Sequence, residues 1–200
     1  MTAEVGGLRR YLTPRVTAPP VERCELCAEE VPAEHPHLVH PAERSLRCAC
    51  RACALLFDHG AGGYRRVPDR HLVDPAFVLT DAQWDALQIP VGLAFFLRTD
   101  DRVLACYPSP AGATESDLDL ASWADGVGAG ALAGLLEPEV EALLVRREPA
   151  ACLLVPIDAC YRLVGLVRRH WRGFDGGAEA WAHIDGFFDD ALARAREVTP

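Results

Sequence analysis

Cys24 to Phe57 reads CELCAEEVPAEHPHLVHPAERSLRCACRACALLF, five cysteines and three histidines in a stretch too short to bury a core of its own. Cys24 and Cys27 form one C-x-x-C pair and Cys50 and Cys53 another. The 22-residue interval between them is slightly longer than the roughly 15–20 of ordinary zinc ribbons. A C-x-x-C in a tight turn brings two thiolates to one ion at about 2.3 Å, and two such knuckles complete a tetrahedron. The interval predicts a hairpin, His37 to Val39 against Ser45 to Arg47, that draws the two pairs together. So short a segment cannot offset its ordering entropy by apolar burial, whereas structural zinc contributes about 10–16 kcal/mol in small peptides.

The metal is better specified than its ligands. Cys48 lies in C-A-C-R-A-C and could replace Cys50, which shortens the interval from Cys27 to 20 residues. His35 or His37 could also substitute for a cysteine; otherwise HPHLVH is a loop entering a strand, with imidazoles at the surface or behind the ligands. Four thiolates leave no open position, so Cys24, Cys27, Cys50 and Cys53 describe a structural zinc site and not a hydrolytic one. Iron suits the same tetrahedral sulfur set, as in rubredoxin-like electron carriers. The glycine usual after each rubredoxin pair is replaced here by Ala28 and Ala54.

Composition narrows the setting. Half the residues are hydrophobic, enough for a packed core. All 20 basic residues are arginine and asparagine is absent, a bias of the kind a GC-rich genome imposes. A net charge of -9 disfavours nucleic acid and anionic membranes as partners, because phosphate binding requires a basic face. Neither a signal peptide nor an apolar run of spanning length is present, so the expected compartment is the cytoplasm, without membrane insertion. Thiols stay reduced there, and eight cysteines read as ligands or buried small side chains and not as disulfides.

The expected fold class is α+β: a proline-rich lead-in over 1–20, a zinc-ribbon-like module over 21–58, and an antiparallel-sheet domain over 69–200 closed by a C-terminal helix. TDAQWDALQ predicts a short helix capped by Thr80 or Asp81, with Trp84 and Leu87 on one face. IPVGLAFFLRTDDRVLACYP and EALLVRREPAACLLVPI predict hairpins turning at Thr99-Asp100-Asp101 and Glu148-Pro149-Ala150. ACYRLVGLVRRHW is read as a further strand of that meander, on the recurrence of β-branched and aromatic residues around Gly165. In GGAEAWAHIDGFFDDALARAR, Trp181, Ile184, Phe188 and Leu192 recur at helical steps and face the sheet, with Asp189, Asp190, Arg194 and Arg196 in water.

Other features take structural readings. Cys106, Cys152 and Cys160 lie in apolar runs and read as packing residues. GVGAGALAG lacks the lysine of a phosphate-binding loop and reads as a loop or loosely packed helix. RRHWRGFDGG, residues 168–177, offers either an anion-binding junction or core aromatics with solvated charges. No nucleophile elbow, no H-E-x-x-H and no placeable acid pair occurs, so no catalytic residue is assigned.

RCELC and CACRACALLF near the N-terminus, taken with PIDACYRLVGLVRRHWRGFDGG near the C-terminus, resemble an uncharacterised family of small zinc-ribbon-like proteins of GC-rich bacteria. The genes of that family lie beside those of high-affinity nickel–iron hydrogenases. The resemblance implies a non-enzymatic metal-binding accessory protein that assists or assembles such a hydrogenase through a protein contact. Two alternatives stay open: a one-iron electron-transfer protein using the same thiolates, and an enzyme with its site in the α+β domain.

Overall fold

A computed structural model describes residues 21–58, 60–99, 102–116, 118, 120–173 and 176–198. The lead-in over 1–20, positions 100 and 101 of the first hairpin turn, and positions 174 and 175 of RRHWRGFDGG lie outside the described residues. In chain order the first elements are β1 (His37–His40), β2 (Ser45–Cys48), α1 (Arg51–Leu56), β3 (Arg65–Arg66), β4 (Leu72–Val73) and α2 (Asp81–Ala86). There follow β5 (Leu93–Arg98), β6 (Val103–Ser109), β7 (Gly112–Ser116), α3 (Leu120–Asp125), β8 (Glu141–Arg146), β9 (Ala151–Pro156), α4 (Ile157–His170), α5 (Gly177–Arg194) and β10 (Arg196–Glu197).

Two sheets result: a small one ordered β2-β1-β3 and a seven-stranded one ordered β10-β4-β9-β8-β5-β6-β7. Every pairing is antiparallel except β10 with β4. The expected hairpins form, with His37 opposite Cys48, Phe95 opposite Cys106 and Leu144 opposite Leu153. α2 begins at Thr80, which closes a capping box with Gln83 and buries Trp84.

The central strands read as unbroken apolar runs because both faces of the large sheet are covered. Phe95, Leu144 and Leu153 point to one face with Leu163, Ile184 and Phe188 of α4 and α5. Their neighbours Phe96, Leu143 and Leu154 point to the other, with Trp84, Leu87, Leu132 and Leu136. Strands buried on both sides lose the polar alternation of a one-faced sheet.

ACYRLVGLVRRHW is helical and not a strand. The buried positions are Ile157, Ala159, Cys160, Leu163 and Val167, of which Ile157, Cys160, Leu163 and Val167 are spaced three and four apart, whereas Tyr161 is half exposed. Asp158 in the first turn and Arg168, Arg169 and His170 in the last complement the helix dipole. In α5 the buried stripe is Ala180, Ile184, Phe187, Phe188 and Ala191; Trp181 is partly buried and Leu192 is exposed, so the face is rotated slightly from the expected one. GVGAGALAG forms two single 3-10 turns, and a Cβ on Gly128 would lie 2.6 Å from the Trp123 ring.

The cysteine-bearing lobe is joined firmly to the large sheet. Val39, Val67 and Leu46 pack into the core that contains α4 and α5. Arg65 donates to Glu137 at 2.6 Å, and His37 Nδ1 lies 2.8 Å from Asp158 Oδ2. Below this junction Glu141, fully buried on β8, accepts from Arg70 Nε at 2.7 Å, Arg70 Nη2 at 2.6 Å and the Glu137 N–H at 3.0 Å. Removing the guanidinium would strand a buried carboxylate. Arg70→Met should therefore lower the unfolding free energy by about 3 kcal/mol in urea titration, the lower end of the range for a broken buried pair because Arg70 is itself part-exposed. No helix among the described residues is long and apolar enough to cross a membrane.

Candidate metal centre

The first cysteine pair sits in a tight turn closed by Cys24 N–H to Glu29 O and Ala28 N–H to Cys24 O, each 2.8 Å. Ala28 has φ of 64°, the left-handed conformation that glycine supplies in the usual knuckle. The turn geometry is thus kept while the residue is not glycine, at a cost of about 1 kcal/mol. Arg23 braces the loop by donating to Ala28 O and pairing with Glu30.

The second pair is built differently. Cys50 is the N-cap of α1, its sulfur accepting from the Cys53 N–H at 3.4 Å, so the second pair lies on the turn that opens a helix. Glu25 ties the two segments: its carboxylate accepts from the Cys48 N–H at 2.7 Å and its own N–H donates to Cys48 O at 2.9 Å. Arg47 pairs with the same carboxylate.

The sulfurs of Cys24, Cys27, Cys50 and Cys53 all lie within 4.8 Å of one another. Cys27 and Cys50 are 3.7 Å apart, close to the edge of about 3.8 Å that a tetrahedron with 2.3 Å metal–sulfur bonds requires. None of the cysteines is in a disulfide. Around the sulfurs the lobe's own buried apolar residues are few, Val31, Leu38, Ala49 and Ala54, with Leu26, Phe57 and Tyr64 at the edge.

The charge balance points to a cation. Burial works against ionising Cys24, but backbone hydrogen bonds at Cys50, Leu26 and Cys27 together overcome it and bring its pKa down to about 6. Cys53 moves the other way, pushed far above the ordinary thiol range by burial and then by the neighbouring thiols of Cys27, Cys50 and Cys24. One thiolate forms readily and makes the next costly; a bound divalent ion removes that repulsion.

The three residues weighed as alternative ligands come together as a separate group. Ring nitrogens of His35 and His37 and the sulfur of Cys48 lie within 4.8 Å of one another. They line a cavity of about 560 Å³ between the lobe and α4, together with His71, Asp158, Arg162 and Arg194. Burial lowers the His71 pKa from its ordinary value. Sequence reasoning missed these last four residues. Asp158 and Arg162 would have emerged had the 157–170 segment been phased as a helix.

Cys106, Cys152 and Cys160 are buried in the sheet and α4, and burial raises the thiol pKa of Cys106 to about 11 and of Cys152 to about 12. Cys27→Ser should therefore lower bound metal and unfold the 21–58 lobe, seen as accelerated amide exchange there, whereas Cys106→Ala should leave metal content unchanged. Elemental analysis and exchange mass spectrometry on the two variants check the contrast.

Neither a curated protein nor a solved structure matches this chain. A sequence family described as a family of unknown function, DUF5947, matches residues 23–195, from the residue before the first cysteine to the end of α5. The match embraces the four-cysteine group and every strand of the large sheet except β10, and the chain belongs to the DUF5947 family.

Proposed function

We propose that this chain is a non-enzymatic accessory protein in which a structural zinc ion, held by Cys24, Cys27, Cys50 and Cys53, shapes the 21–58 lobe for contact with a protein partner. The observation that carries the reading is the convergence of four sulfurs from two segments in a lobe with almost no apolar core of its own. Four thiolates fill a tetrahedron and leave no position for a substrate. Leu55 and Leu56, on α1 two and three residues after Cys53, are 58% and 70% exposed, and a pair of exposed leucines beside the cysteine-bearing helix start suits a protein contact. The resemblance of the cysteine segment and of PIDACYRLVGLVRRHWRGFDGG to proteins encoded beside hydrogenase genes supports a hydrogenase component as that partner.

One second reading has an observation in its favour. Cys27 is exposed and Cys50 partly so, which would bring a single iron in the same thiolates close enough to the surface for electron transfer. Colour separates the two: an iron centre absorbs in the visible and bleaches on reduction, a zinc centre does not.

The partner reading is tested by tagging the chain in its native host. Hydrogenase subunits should copurify, less so with Leu55→Glu/Leu56→Glu, and deletion of the gene should lower hydrogenase activity. Copurification of no hydrogenase subunit together with unchanged activity in the deletion strain would contradict it.

A further inference from the structure

We propose that His35, His37 and Cys48 bind a second divalent transition-metal ion whose fourth coordination position opens into the cavity between the cysteine-bearing lobe and α4. The inference stands apart from the accessory role, because it concerns different donors and a different kind of site.

His35 carries the first argument. Its side chain is only 4% exposed, and its Nδ1 lies 2.8 Å from the carbonyl oxygen of Pro32, which can only accept. With Nδ1 donating to that carbonyl, and Glu22 Oε2 3.7 Å from the same nitrogen, Nε2 is the ring nitrogen left to ligate. That Nε2 is buried without a hydrogen-bond partner, a state that destabilises the fold if nothing occupies it. A metal ion satisfies such a nitrogen.

His37 repeats the arrangement. Asp158 Oδ2 accepts from its Nδ1 at 2.8 Å, which fixes the tautomer and leaves Nε2 free to ligate. A carboxylate behind a histidine in this way is the usual support of a metal ligand, and it strengthens the imidazole as a donor. Cys48 is the cross-strand neighbour of His37 in the β1–β2 hairpin, so the two side chains share a face of the ribbon. The His35 and His37 rings are 4.8 Å apart between centroids.

One ring nitrogen of each histidine and the Cys48 sulfur lie within 4.8 Å of one another, whereas tetrahedral ligation by two nitrogens and a sulfur needs about 3.3–3.6 Å. Side-chain rotation closes a gap of that size. Two imidazoles and one thiolate suit zinc, cobalt or nickel better than calcium or magnesium. Three protein ligands, unlike four, leave a position for an outside molecule. Arg162 and Arg194 line the same cavity, together with the carboxylates of Glu22, Glu34, Asp69 and Asp158. The lining thus carries both signs, and acetate serves as the probe for a small oxygen ligand at the open position.

A third group, His170, Glu179 and His183, lacks this support: Glu179 is exposed and already engages His170 at 3.0 Å. It serves as the control. The experiment titrates cobalt(II) into the full metal-free chain in competition with a chromophoric chelator. Two equivalents are expected. The second should vanish in His35→Gln and His37→Gln, weaken about 10–100-fold in Asp158→Asn, and survive His183→Gln, with the first equivalent and the helical circular dichroism intact in all of them. Acetate should shift the visible cobalt bands of the second equivalent. A wild-type chain that binds one equivalent, a second equivalent that survives His35→Gln or follows His183, or loss of the first equivalent in Cys48→Ser would overturn the assignment. Bands that ignore acetate would overturn the open position. Should a variant unfold, the wild-type chain still decides: cobalt in the second site must show nitrogen scattering with one sulfur by X-ray absorption, and an all-oxygen shell would overturn it.

Discussion

Four sulfurs drawn from two turns far apart in the chain cannot share one small volume as thiolates unless something positive sits between them. That constraint organises the lobe. The Cys24–Cys27 turn is held by Ala28 in a left-handed conformation, the Cys50–Cys53 turn by the start of α1, and Glu25 clamps one against the strand that leads into the other. Each device is local and weak beside the roughly 10–16 kcal/mol that a structural zinc ion contributes in small peptides. The lobe's few apolar residues could not substitute for it.

The lobe in turn positions the junction. The β1–β2 hairpin exists to bring the cysteine pairs together, and the same hairpin delivers Val39 and Leu46 to the core beneath α4 and sets His37 against Asp158. Its far edge is completed by β3, from the segment between the lobe and the large sheet. A change at the four cysteines would thus reach the cavity through one short hairpin, whose Val39 and Leu46 also pack into the core of the large sheet.

Much of this was legible in the chain. The paired C-x-x-C and the hairpin between them rest on spacing alone, and the two large hairpins rest on apolar runs broken by turn residues. α2 was legible from its two candidate caps, of which the structure uses Thr80, in a capping box with Gln83. The 157–170 segment was not legible as a helix because its phase is carried by Ile157, Cys160 and Leu163, while the larger Tyr161 points outward and suggested another period. Leu192 was misplaced for a related reason: the end of α5 turns its stripe to Ala191, a small residue that a search for large apolar side chains passes over. The separate grouping of His35, His37 and Cys48 could not be read from spacing, and the partner of His37 in it, Asp158, lies 121 residues away in the chain.

The central claim is that one ion joins the two cysteine pairs, and X-ray absorption at the metal edge of the protein purified from its native host addresses it most directly. The account predicts a shell of four sulfurs at about 2.3 Å around a stoichiometric metal. A protein that carries no metal, or one whose metal is surrounded by nitrogen and oxygen without sulfur, would contradict it.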